Sequence, residues 1–136
     1  MSSITSKNIF STTRTHIGTL SIKEIASQFS TPTFVYDAEV ILRRVAQLSK
    51  FDVVRYAQKA NSNLAVLALM KQQGVVLDAV SAGEIHRALR VGYQGGSDAS
   101  GRHEIVYTAD IFDQDALALV QDHNIHVNCG SVDMIE

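Results

Sequence analysis

From Phe51 onward the chain alternates between two hydrophobic patterns. The stretches "FDVVRYAQKA" (51–60), "VVLDAV" (75–80), "IVYTAD" (105–110) and "HVNCGS" (126–131) are short, largely apolar runs that read as strands. Between them, "NLAVLALMKQQG" (63–74), "GEIHRALRVG" (83–92) and "DQDALALVQDHN" (113–124) carry apolar residues at helical spacing. The first two of these helices close on Gly74 and Gly92, as expected of a residue that accepts a left-handed helix end at little cost. "YQGGSDASGRH" (93–103) reads as a polar, mobile surface loop, and "VDMIE" (132–136) as the opening of one more helix. Strands alternating with helices of this length predict successive βαβ units and a parallel sheet, and apolar strands fit a sheet covered on both faces.

Upstream of Phe51 the pattern is less regular. Ser21-Ile-Lys-Glu24 has the form of a capping box, predicting a short helix to about Phe29. "STPTFVYD" (30–37) reads as a strand, with Pro32 at its start, where a missing N–H does least harm. Asp37 is placed to cap a second helix whose apolar face is Ile41, Val45 and Leu48.

Four βα units alone leave two bare sheet edges, whereas a closed barrel takes eight strands and roughly 250 residues. No G-x-G-x-x-G follows the first strand, so a dinucleotide-binding sheet has no support. The expected class is α/β. Residues 31–136 are read as the first part, about four βα units, of a longer (β/α)8 barrel. Residues 1–30 are read as an N-terminal arm with a short helix.

Composition narrows the function classes. The chain has 136 residues, 46% apolar and 19% charged, with a net charge of −2. That is the mix of an ordinary globular domain, with no general attraction to nucleic acid or to an acidic membrane. No run reaches the ~20 apolar residues of a membrane helix. A single cysteine, Cys129, excludes an internal disulfide and fits a reducing cytoplasm. Residues 1–23 lack any acid and are rich in Ser and Thr, mildly like a transit peptide, but they show no amphipathic face; a flexible arm is the simpler reading.

The candidate chemistry centres on Lys59. Strand alternation puts Val53, Arg55, Ala57 and Lys59 on one face, with Lys59 at the C-terminal end, where barrel enzymes place their chemistry. A desolvated lysine there can act as a neutral amine and form a Schiff base; the plain reading is a rim lysine extending its ammonium to water. Asp78 lies inside an apolar strand, where an unpaired carboxylate is costly. Pairing with Lys59 across adjacent strands is expected to relieve both, either as part of a site or as a structural ion pair. Ser81 and Glu84 have capping-box spacing, which suffices to explain them. Asn61 reads as a cap or turn residue. The five histidines form no metal-ligand pattern, and Cys129 is most simply a small buried hydrophobe in a strand.

"YAQKANSN" followed by "LDAVSAGEIHRAL" resembles the pyridoxal phosphate-binding start of the barrel-type amino-acid decarboxylases. With "TPTFVYD", "IVYTADIFDQDAL" and "HVNCGSVDMIE", the likeness narrows to the diaminopimelate decarboxylase family and covers roughly residues 31–136. The lysine motif alone marks only the wider fold type shared with alanine racemases. The resemblance implies that Lys59 is the catalytic lysine holding pyridoxal 5'-phosphate, that Asp78 lies beside it, and that Glu84 stands in the turn at the cofactor. It implies decarboxylation of meso-diaminopimelate to lysine by a cytoplasmic homodimer with shared active sites. It places the remaining cofactor and substrate residues, the catalytic cysteine and a β-rich second domain beyond Glu136, so that residues 1–136 alone are expected to be inactive. The alternatives are a related decarboxylase acting on arginine, ornithine or a carboxylated polyamine, and a non-catalytic barrel that carries the cofactor.

Overall fold

A computed structural model describes residues 14–135. The chain divides into two compact units, residues 1–44 and residues 45–136. Part of the expected N-terminal arm, residues 1–13, lies outside the described residues.

In the first unit, strands β1 (His16–Ile17) and β2 (Leu20–Ser21) form a short antiparallel hairpin that the sequence pattern did not reveal. Ser21 ends β2 and caps helix α1 (Ile22–Phe29), closing the expected capping box with Glu24. Ile25 is the buried residue of this helix. The stretch from Ser30 to Asp37 is not a strand: it pairs with no strand among the described residues and leaves Phe34 91% exposed. Its apolar alternation is not enough, because a strand needs a partner for its backbone groups. Asp37 caps helix α2 (Ala38–Ala46) as expected, accepting from the Glu39 N–H at 3.0 Å.

The second unit holds the predicted parallel sheet. Strands β3 (Arg55–Ala57), β4 (Val76–Ala79), β5 (Ile105–Tyr107) and β6 (His126–Val127) lie in that order, each parallel to the next. They are connected by helices α3 (Leu64–Gln72), α4 (Ala82–Arg90) and α5 (Gln114–Asp122). Leu77, Ala79, Ile105 and Tyr107 point from the sheet into one apolar core with Leu67, Ile85, Ala116 and Leu119 of the helices. Strand alternation turns Arg55, Ala57, Asp78, Val106, Thr108 and His126 to the opposite face. The final residues form a 3-10 turn, Val132–Met134, in place of the expected helix start. Cys129 is exposed, outside any strand, and is not the buried hydrophobe expected of it.

The strands are shorter than their apolar runs. Of residues 51–60 only Arg55–Ala57 pair in the sheet; Gln58–Ala60 coil into a 3-10 turn. Asn61 is a turn residue, its side chain accepting from the Asn63 N–H at 3.0 Å, and Asn63 is the cap of α3.

The segment 93–103 is tied down rather than free. Tyr93 is only 1% exposed, and its hydroxyl donates to the Val75 carbonyl at 2.9 Å. Burial raises the Tyr93 phenol, and the charge of Glu104 adds to that. The Lys71 ammonium lies 4.6 Å from the Tyr93 ring centre and 3.2 Å from Glu104, which also accepts from the Gln94 N–H. Further along, Asp98 accepts from the Ser100 hydroxyl at 2.6 Å and from the Arg102 N–H at 3.0 Å. In this Gly-rich sequence the fixed points are one buried aromatic ring, Tyr93, and the carboxylates of Glu104 and Asp98.

Two predictions follow from these contacts. Tyr93→Phe deletes the donor to Val75 while keeping the ring, and is expected to cost about 1–3 kcal/mol in chemical denaturation, the range for a stranded buried acceptor. The Ser100 hydroxyl, then the Arg102 N–H, hold the Asp98 carboxyl down at about 2. The carboxylate therefore organises this turn at every pH above the ordinary carboxylate range and releases it only as pH falls through about 2. A side-chain carboxyl titration by NMR with a midpoint near ~4, the unperturbed value, would contradict this.

Candidate functional site

The C-terminal ends of the four parallel strands carry the polar residues singled out in the sequence. Lys59 is exposed in the 3-10 turn directly after β3, and this turn lies against β4. Leaving the sheet two residues early puts the lysine past the last pair of the ladder, Ala57 opposite Asp78.

Asp78 is half-buried on the face opposite the helices. Its neighbours in register are Ala57 on β3 and Val106 on β5, and His126 of β6 continues the same row. The expected ion pair with Lys59 is not formed: no Lys–Asp contact within 4.0 Å joins them among the described residues. Asp78 Oδ1 instead accepts from the Thr108 hydroxyl at 2.6 Å. Thr108 stands two residues beyond Val106, and strand alternation turns it to the same face. Such a short bond to a charged oxygen is among the stronger hydrogen bonds of a protein.

Arg55 supplies the nearby positive charge. Its guanidinium reaches across this face from β3, donating to the Leu77 carbonyl at 2.7 Å and the His103 carbonyl at 3.1 Å. Burial pulls the guanidinium below its ordinary value, and the negative charge of Asp78 acts in the opposite direction. The His103 and His126 rings stack with centres 4.4 Å apart at the far side of the same sheet.

Glu84 is buried in the first turn of α4. Ser81 caps α4 as predicted, but Glu84 does not return the bond to Ser81; its carboxylate accepts from the Val80 N–H at 2.9 Å, one residue further back. It thereby fixes the chain where β4 leaves the sheet. Gln58, next to Lys59, is fully buried, and neither of its amide atoms has a hydrogen-bond partner among the described residues.

Sequence reasoning put Arg55 on the right face without giving it a role, and passed over Thr108. The signal for Thr108 was present: a hydroxyl two positions after Val106 shares the face of a carboxylate on the neighbouring strand. What the sequence lacked was the register that sets Val106 beside Asp78.

Comparison with known proteins gives a consistent result. The family model described as "Pyridoxal-dependent decarboxylase, pyridoxal binding domain" matches residues 38–136. The chain is 45% identical over 124 residues to a diaminopimelate decarboxylase of Buchnera aphidicola from Schizaphis graminum, covering 91% of this chain and 29% of the relative. It is 46% identical over 129 residues to the diaminopimelate decarboxylase of Escherichia coli K12, covering 95% and 30%. A crystal structure of a diaminopimelate decarboxylase superposes with a TM-score of 0.74 at 49% identity, over 82% of this chain and 26% of that one. The chain thus spans about 30% of the length of the curated relatives it matches.

Glu84→Ala is expected to lower stability by about 1–2 kcal/mol, since it strands the Val80 N–H at a half-buried turn. Glu84→Gln, which keeps an acceptor, should recover most of the loss; the two denaturation curves decide.

Proposed function

The chain belongs to the pyridoxal-dependent decarboxylases through their pyridoxal-binding domain, and from that premise we propose that it forms the cofactor-bearing part of a diaminopimelate decarboxylase, which converts meso-diaminopimelate to lysine. Identities of 45–46% to enzymes of that name, spread over more than nine-tenths of the chain, carry this reading. The finer assignments are an amino-acid substrate, a cytoplasmic location and a homodimer with shared sites. Among the described residues no helix is long and apolar enough to cross a membrane.

The residues present fit pyridoxal 5'-phosphate at its reactive end. Covalent capture of an aldehyde takes a primary amine with an open approach, and Lys59 is an exposed amine at the mouth of a parallel sheet. When bound, the cofactor supplies the electron sink that makes loss of carbon dioxide from an amino acid feasible. Lys59 is the catalytic residue of this reading: its Nζ is the group that would hold the cofactor. Asp78 provides a negative charge on β4, the strand this turn lies against; the Thr108 hydroxyl holds it, and the charge of Arg55 acts on it. Glu84 joins the site as the group that sets the course of the β4–α4 turn.

A related decarboxylase acting on arginine, ornithine or a carboxylated polyamine is the second reading, because the family model covers that wider group. A panel of these substrates on the full-length protein separates the two: release of carbon dioxide from meso-diaminopimelate alone supports the first. Residues 1–136 by themselves are expected to release none.

Full-length protein is expected to show cofactor absorbance near ~420 nm that disappears in Lys59→Ala. Persistence of the band in that variant would remove Lys59 from its role.

A further inference from the structure

We propose that Thr108 is a positioning residue that draws Asp78 toward β5 and so leaves the Lys59 amine unpaired at the sheet mouth. The inference rests on the reading of Lys59 as the cofactor lysine and goes beyond it by assigning a competitor for the carboxylate.

The geometry sets up a contest. Asp78 lies on β4 between two neighbours. On one side its register partner is Ala57, with Lys59 two residues further on in a turn that lies against β4. On the other side its partner is Val106, with Thr108 two residues further on. Lys59, in the turn after β3, and Thr108, just past β5, thus each stand two residues beyond a register partner of the same carboxylate. The carboxylate is bonded to the threonine at 2.6 Å and to no lysine. The ionisable side chains among the paired strand residues of this face are Arg55 on β3, Asp78 on β4 and His126 on β6. Arg55 is committed to two carbonyls at 2.7 and 3.1 Å, and its positive charge acts on Asp78. Glu84, the acid at the base of α4, is engaged by the Val80 N–H. Asp78 is therefore compensated without Lys59.

The chemical consequence concerns the proton on Nζ. An ammonium paired with a carboxylate holds its proton more firmly. Only the neutral amine is a nucleophile. Removing the hydroxyl of Thr108 leaves the Asp78 carboxylate without its donor; with Arg55 held by two carbonyls, Lys59, in the turn against β4, is the cation that would take its place.

The test uses full-length protein stripped of cofactor. Lysine amines are trace-acetylated with acetic anhydride near pH 8, and the Lys59 peptide is quantified by mass spectrometry against that of exposed Lys50. Thr108→Val is expected to slow Lys59 labelling about tenfold, the equivalent of one pKa unit. Thr108→Ser should restore it, and D78N combined with Thr108→Val should also label at the normal rate. A purely structural role for Thr108 would move the melting temperature without this selective change or its rescue. If Thr108→Val does not fold, Thr108→Ala and the Ser variant carry the comparison. Wild-type labelling of Lys59 in a folded Val or Ala variant overturns the proposal. Its failure is distinct from that of the Lys59 assignment, which falls if Lys59→Ala keeps the cofactor absorbance.

Discussion

The parallel register of β3, β4 and β5 is the constraint on which the site depends. By pairing Ala57 with Asp78 and Asp78 with Val106, it sets one carboxylate between the strand that ends in Lys59 and the strand that ends in Thr108. A slip of one residue in β4 would turn Asp78 into the helix layer and bring Leu77 and Ala79 to the open face. The packing forbids that slip, because Leu77 and Ala79 are fully buried against the helices. The apolar core thus fixes the position of a charge it never touches.

The two ends of the sheet divide the work. Where the strands begin, Tyr93, Lys71 and Glu104 form a network of ring, ammonium and carboxylate that closes the connection between α4 and β5. Where the strands end, the polar groups are less completely satisfied: Lys59 is exposed, and Gln58 is buried with no hydrogen-bond partner among the described residues. Conservation of stability at one end and freedom of chemistry at the other is the usual arrangement of α/β barrel enzymes. Arg55 links the two, running across the open face to the carbonyls of Leu77 and His103 while its charge acts on Asp78.

A competition for one carboxylate also explains how an exposed lysine beside an acid avoids being locked into an ion pair. A hydroxyl donor satisfies the acid without carrying charge. Threonine suits the position because its branched side chain favours the strand it extends.

Much of this was legible in the residues themselves. The alternation of apolar runs and helical stretches gave the order of elements from β3 to β6, because period and length are local properties. The caps at Ser21, Asp37 and Ser81 were equally readable, since a cap involves groups within four residues of one another. The motif around Lys59 pointed to the family for the same reason. Tertiary structure alone decided what depends on distant partners. Residues 30–37 have strand-like composition but no strand beside them, and Tyr93 sits in a glycine-rich stretch yet fills the core. Asp78 took Thr108, thirty residues away, in preference to Lys59, because hydrogen-bond partners follow sheet register and the sequence carries no direct statement of register.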